Sequence, residues 1–195
     1  MQVGGHMLTN VEIGMRVGET GRALTQLLDV LIERVEPAVQ MLAGTLAQGG
    51  KVLVCGNGGS AAMSNHLVAE LVVRFETDRK ALPAISLASD AAILTAVGND
   101  YAFERIFSRQ IEALGTSNDA LVAFSTSGKS KNIKEAIHAA HRQGMRTLGI
   151  SGRKGMNAIV DCDMICPGES TAIIQEMHLI VVHVLCSAIE RGIKS

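Results

Sequence analysis

The 195-residue chain is 47% hydrophobic, enough to bury a substantial core within the usual size of one domain. With 18 Lys and Arg against 19 Asp and Glu, and no strongly basic block, nothing in it favours a nucleic-acid partner, and one Tyr with no Trp argues against aromatic stacking as the main binding device. Four cysteines are too few for a disulfide scaffold, so they are expected to be thiols, Cys162 and Cys166 included. No apolar run is expected to reach the roughly 20 residues of a membrane span, and the first residues lack the order of a secretion signal. A cytoplasmic protein with no membrane partner follows as the expectation. Residues 1–195 are expected to form a single domain, with an N-terminal helical region over about 8–48 and an α/β core over 49–191.

Met1 to Met7 read as an extension ahead of a second possible start, and His6 is given no role. From about Val11 to Gln48 apolar residues recur at three- and four-residue steps, among them Leu24, Leu27, Leu28, Leu31, Val35, Val39 and Leu42. Gly18 and Pro37 are expected to divide this stretch into two or three helices. Its apolar surface exceeds what one sheet needs, which predicts that these helices also pack against other copies of the chain. Strands and helices then alternate: strand 51–55, helix 60–75, strand 83–87, helices 90–97 and 102–113, strand 119–124, helix 130–143, strands 146–151 and 162–166, helix 171–191. Such alternation predicts a parallel sheet covered on both faces.

Two turns in this order carry chemistry. Cys55-Gly56-Asn57-Gly58-Gly59-Ser60 and Ser125-Thr126-Ser127-Gly128-Lys129-Ser130 each follow a strand-like run and precede a helical pattern. Glycines let backbone approach an anion, a helix amino terminus supplies unpaired N–H groups, and Ser60, Ser125, Ser127 and Ser130 add hydroxyl donors. Tight turns alone do not require four hydroxyls, so a phosphate cradle is the better reading.

The helix after the first turn carries His66 and Glu70 four residues apart, hence on one side, roughly 9 to 15 Å of rise beyond Ser60. An imidazole and a carboxylate at that distance suit the far end of an extended sugar phosphate. The last helix is apolar nearly all round, and a polar residue in such a helix needs a partner. Gln175 and His183 are therefore site candidates, whereas His178 reads as a core or interface histidine. Asp90 and Gly98-Asn99-Asp100 read first as a helix cap and a turn.

Five ordered motifs, CGNGGS with His66 and Glu70, Ser89-Asp90, VGNDY at 97–101, STSGKS at 125–130 and IQEMH at 174–178, make residues 20 to 190 resemble the phosphoheptose isomerases of the SIS (sugar isomerase) family. The resemblance implies a flavodoxin-like fold with a five-stranded parallel sheet flanked by helices, and a homotetramer with active sites at subunit interfaces. The implied reaction is aldose–ketose conversion of sedoheptulose 7-phosphate to D-glycero-D-manno-heptose 7-phosphate, the first step toward ADP- or GDP-heptose precursors. Carried onto this sequence, the family pattern places Asn57, Gly58, Gly59, Ser60, Arg74, Asp90, Ser125, Thr126, Ser127, Ser130 and Gln175 around the substrate, and gives the chemistry to Glu70 and His183. It also implies one zinc ion per subunit at His66, Glu70, Gln175 and His183, a mixed N and O set that suits the metal. Ile173 stands where many similar enzymes carry arginine, which removes a potential substrate contact, and Lys129 replaces a common asparagine. The alternative the family offers is a noncatalytic phosphosugar-binding or replication-initiator-associating protein. That relative has lost the carboxylate matching Glu70, and Glu70, His66 and His183 are all present here.

Gln175 and His183 are eight residues apart, roughly 12 Å along one helix. Both are therefore not expected to reach one ion from one straight helix. Either they come from different subunits or Gln175 precedes the regular helix.

Overall fold

In the computed structural model, which describes residues 7–193, a long helix precedes five parallel strands connected by helices. Helix α1 runs Asn10–Ala47, β1 Val52–Cys55, α2 Gly59–Val72, β2 Ala84–Ser86 and α3 Ala91–Asp100. After a 3₁₀ turn at Phe103–Arg105 come α4 Ser108–Leu114, β3 Ala120–Ser125, α5 Lys131–Arg142, β4 Arg146–Gly152, β5 Cys162–Cys166 and α6 Thr171–Ile193. His6 lies outside the described residues.

The strands lie in the order β2-β1-β3-β4-β5, all parallel, the flavodoxin-like arrangement expected from the alternation. Each central strand feeds two cores. Val52 and Val54 of β1 with Val122 and Phe124 of β3 face α1, α2 and α6, while Leu53, Cys55, Leu121 and Ala123 face α3, α4 and α5. Burial on both faces explains why β1 and β3 read as unbroken apolar runs. The four cysteines are free thiols.

The N-terminal region differs from expectation, for it is one helix of 38 residues. It starts at a capping box in which the Thr9 hydroxyl accepts from the Glu12 N–H while the Glu12 carboxylate accepts from the Thr9 N–H. Gly18 and Pro37 lie inside it and are exposed, so the Glu33 carbonyl that a residue other than proline would engage faces the solvent side. Packing of Ala23, Leu27, Ala38 and Leu42 into the core outweighs the ~3 kcal/mol that an interior proline costs.

Helix α6 also departs from expectation. Its 23 residues have a mean hydropathy of 1.8 over an 18-residue window, long and apolar enough by composition to cross a membrane. Half of that window is buried in the protein, where Ile173, Met177, Val181, Val182, Leu185 and Ile189 fill the core between α1 and the sheet. A core helix covered on several sides loses the polar face that would mark it as amphipathic.

Candidate active site

The first glycine turn joins β1 to α2, and its geometry disfavours side chains at Gly56, Gly58 and Gly59. A Cβ at Gly56 would strike the backbone of Ser60, Gly58 adopts φ +55°, and a Cβ at Gly59 would collide with the Gln175 amide. Ser60 is buried at the start of α2, with its N–H donating to the Asn57 carbonyl at 2.9 Å. The second turn joins β3 to α5. Gly128 has φ +67°, its N–H donates to Ser125 Oγ at 3.1 Å, and its carbonyl accepts from Asn157 N at 2.8 Å. A Cβ there would run into the Gly155 carbonyl, so the segment after β4 closes over the turn. Ser130 is the N-cap residue of α5 but makes no side-chain cap bond, which leaves its hydroxyl to point elsewhere.

Because β1 pairs with β3, the two turns emerge side by side from adjacent strand ends where the sheet order changes direction, the place an open α/β sheet offers a ligand. A reciprocal pair of amide bonds joins them: Asn57 Nδ2 donates to Asn132 Oδ1 at 2.9 Å, and Asn132 Nδ2 donates to Asn57 Oδ1 at 2.7 Å. The buried Asn132 was not singled out from sequence. Its signal was an asparagine in the first turn of a helix, where it is a poor helix former. Thr126, Ser127 and the exposed Lys129 line a cavity of about 510 Å³ together with Arg153 and Lys154, Arg153 being paired with Glu169.

One to three turns along α2, the imidazole and carboxylate meet a third group. His66 Nε2 lies 3.6 Å from Glu70 Oε1 and 3.0 Å from His183 Nε2, one ring nitrogen donating to the other according to which carries the proton. All three side chains are half-buried, and the Phe75 ring packs on His183 with centroids 5.4 Å apart. The pairing follows from architecture. Helices α2 and α6 lie on the same face of a parallel sheet and run in the same direction, so Gly59 meets Gln175, His66 meets His183, and the residues just after α2 meet Glu190.

Gln175 lies within α6, not ahead of it, and touches the start of α2 while His183 sits farther along beside His66. The suggestion that Gln175 precedes the regular helix is thereby corrected, because the helix begins four residues earlier at Thr171. Among the described residues no group of three or more His, Cys, Asp or Glu side chains has the spacing of an assembled metal shell. His66 nevertheless approaches both Glu70 and His183, and imidazole and carboxylate are donor types that zinc takes.

The remaining candidates are more peripheral. Asp90 caps α3, its Oδ1 accepting from Ile93 N at 3.0 Å, at the carboxyl end of β2 beside β1. Arg74 is exposed just beyond α2, next to Phe75. Ile173 is buried in the core. His178 is fully buried against Phe124; burial lowers its pKa to about 4, the nearby Ser151 backbone offsetting only part of this.

Residues 17–152 match the SIS domain family model. The chain is 47% identical over 171 residues to the phosphoheptose isomerase of a Campylobacter jejuni strain, covering 87% of this chain and 92% of that one. Among solved structures, a phosphoheptose isomerase from Francisella tularensis superposes with a TM-score of 0.90 at 36% identity, covering 95% of this chain and all of that one. Phosphoheptose isomerase GmhA from Neisseria gonorrhoeae superposes with a TM-score of 0.86 at 37% identity, covering 92% and 97%.

Proposed function

Since the chain belongs to the SIS-domain family of phosphoheptose isomerases, it is an aldose–ketose isomerase that converts sedoheptulose 7-phosphate to D-glycero-D-manno-heptose 7-phosphate in heptose biosynthesis, and we propose how its residues divide that work. Moving a carbonyl between carbon 1 and carbon 2 requires a base to take a carbon-bound proton, stabilisation of the enediolate, and an acid to return a proton. The observation that carries the proposal is that Glu70 and His183 both lie beside His66, beyond a glycine-lined turn.

In this reading the phosphate lies between the turns, held by Ser60, Ser125, Thr126, Ser127 and Ser130 and by the N–H groups at the starts of α2 and α5. Asn57, Gly58, Gly59, Arg74, Asp90 and Gln175 border the sugar chain. Anchoring the phosphate fixes how far the open-chain sugar extends along α2, so the reacting carbons come to Glu70 and His183 already oriented. Glu70 takes the proton, and His183 serves as the acid at the neighbouring oxygen.

His66, Glu70 and His183 would hold one zinc ion per subunit, with Gln175 joining only if another subunit supplies it. Zinc bound there would act as a Lewis acid toward developing negative charge on the sugar oxygens. The assembly we propose is a homotetramer with active sites at subunit interfaces. It is supported by the exposed apolar residues Val17, Leu24, Leu28 and Ile32 on α1, a stripe too large to leave in water. The same reading puts the enzyme in the cytoplasm, where its phosphorylated substrate would be made and consumed.

The test is turnover of sedoheptulose 7-phosphate by the purified chain, with and without added zinc, beside Glu70→Gln and His183→Ala, together with elemental analysis of the bound metal. Loss of kcat by about 10²- to 10⁴-fold in both variants with substrate binding retained is expected. Near-normal turnover in Glu70→Gln would remove it as the base. A purified protein that binds no zinc would remove the metal assignment.

A further inference from the structure

The end of α2 is tied down by a buried ion pair that the acid–base assignments do not use. Arg79 and Glu190 have side chains only 6% and 4% exposed, and Arg79 Nε donates to Glu190 Oε1 at 3.1 Å. Isolated ion pairs of this kind give little net stability once the cost of desolvating them is counted. What this one touches is therefore more informative than its strength.

Arg79 also donates from Nη2 to the backbone carbonyl of Glu70 at 2.7 Å and from Nη1 to that of Leu71 at 2.8 Å. These are orphan carbonyls of the last turn of α2, and one of them belongs to the residue assigned as the base. Glu190, for its part, accepts from the N–H groups of Phe75, Glu76 and Thr77 at 2.8, 3.2 and 3.1 Å and from the Thr77 hydroxyl at 3.1 Å. That cradle fixes the backbone of Phe75, whose ring lies against His183 at 33° between planes. Glu190 is two helical turns beyond His183 on α6, so the helix that carries the acid also anchors the loop packed upon it.

We propose that Arg79, Glu190 and Phe75 are positioning residues for proton transfer: the ion pair holds the end of α2 and the loop after it to α6, and Phe75 sets the orientation of the His183 ring. The inference rests on the assignment of Glu70 and His183 as base and acid. None of the three side chains is required to touch substrate. Their effect should therefore fall on the chemical step, because misplacing a reacting group by an ångström costs on the order of 10²-fold while leaving the distant phosphate grip intact.

The experiment compares Phe75→Leu, Phe75→Ala, Phe75→Tyr and Arg79→Lys with the unmodified enzyme, measuring kcat, KM and melting temperature, with Glu70→Gln in the same assay. Phe75→Ala is expected to lose about 10- to 100-fold in kcat with KM changed less than about threefold. Phe75→Leu should lose less, and Phe75→Tyr, which keeps the ring, should restore most of the rate. Arg79→Lys retains the charge but not the forked reach to two carbonyls, and should lower kcat more than its melting temperature would suggest. Folded Phe75→Ala and Phe75→Leu with unaltered kcat, while Glu70→Gln is inactive, would overturn the positioning role and leave the acid–base assignment standing. An active Glu70→Gln would overturn both. If Phe75→Ala does not fold, Phe75→Leu against Phe75→Tyr decides by the same kcat criterion.

Discussion

The two ends of the site are built by different means. At the phosphate end the chain is held by its own backbone: Gly56, Gly58 and Gly128 occupy conformations or spaces closed to side chains, and each turn sits at the end of a buried strand. At the acid–base end local sequence sets only the i,i+4 spacing of His66 and Glu70. His66 and Glu70 meet His183 because α2 and α6, 117 residues apart at the point of contact, lie side by side in one direction. One end is therefore specified locally and stiffly, the other by long-range register, and the two should fail differently when altered.

Gly128→Ala should give the largest effect among substitutions at the phosphate end. The new methyl would need a left-handed conformation and would overlap the Gly155 carbonyl, so the turn and the segment closing over it would both have to move. A loss of about 3 kcal/mol in stability is expected, with KM raised far more than kcat is lowered. Thermal melting and steady-state kinetics on the same preparation check this. A variant with unchanged KM would mean that the turn does not hold the phosphate, and the contrast between the ends would collapse.

What could be read in the sequence follows the same division. Glycine turns after strand-like runs announce themselves because their causes are local, and so does the i,i+4 pair of His66 and Glu70 on one helix face. The parallel sheet was legible for a related reason, since runs such as 52–55 and 120–124 are apolar throughout when both faces are covered. The uninterrupted α1 was not legible. Pro37 argues locally for a break, and only the packing of Leu27, Ala38 and Leu42 on the sheet overrides it. Nor could the sequence say that Asn57 and Asn132, or Arg79 and Glu190, would be partners, because nothing local links residues so far apart in the chain.

Acid should separate the ends further. Burial raises the pKa of the Glu190 carboxyl, but hydrogen bonds from the Phe75 and Thr77 N–H groups, the Thr77 hydroxyl and the Glu76 N–H outweigh it and bring the value down to about 2. A carboxyl below its ordinary value of 4.5 when folded stabilises the protein fully above that value. The stabilisation is lost as the pH falls from there toward 2, and amounts to about 2 kcal/mol once solvent screening is allowed for. The phosphate turns contain no carboxylate or imidazole. Hydrogen exchange followed from pH 5 to pH 3 should therefore show the loop after α2 opening before the two turns do, and Glu190→Gln should flatten that pH dependence. Simultaneous opening would mean that the helix pair and the turns form one cooperative unit.

The smallest expected effect tests how far the turns depend on each other. Asn132→Ala removes both amide bonds to Asn57, yet Asn57 is half-buried and water can replace part of what is lost, so stability should fall by only about 1 kcal/mol. Asn132 Oδ1 also accepts from the Ile133 N–H at 3.0 Å, which an Asp at this position could still do. Asn132→Asp would retain the bond from Asn57 Nδ2 while losing the donor to Asn57 Oδ1, and it would bring a negative charge to the phosphate. If the amide pair matters for aligning the turns, Asn132→Ala should raise KM about fivefold, the equivalent of 1 kcal/mol, with kcat nearly unchanged. If the charge at the phosphate dominates, Asn132→Asp should be the worse of the two despite keeping more hydrogen bonds. Equal, wild-type KM values in both would show that each turn stands on its own strand end and needs no cross-link, which would make the phosphate end stiffer still than the amide pair suggests.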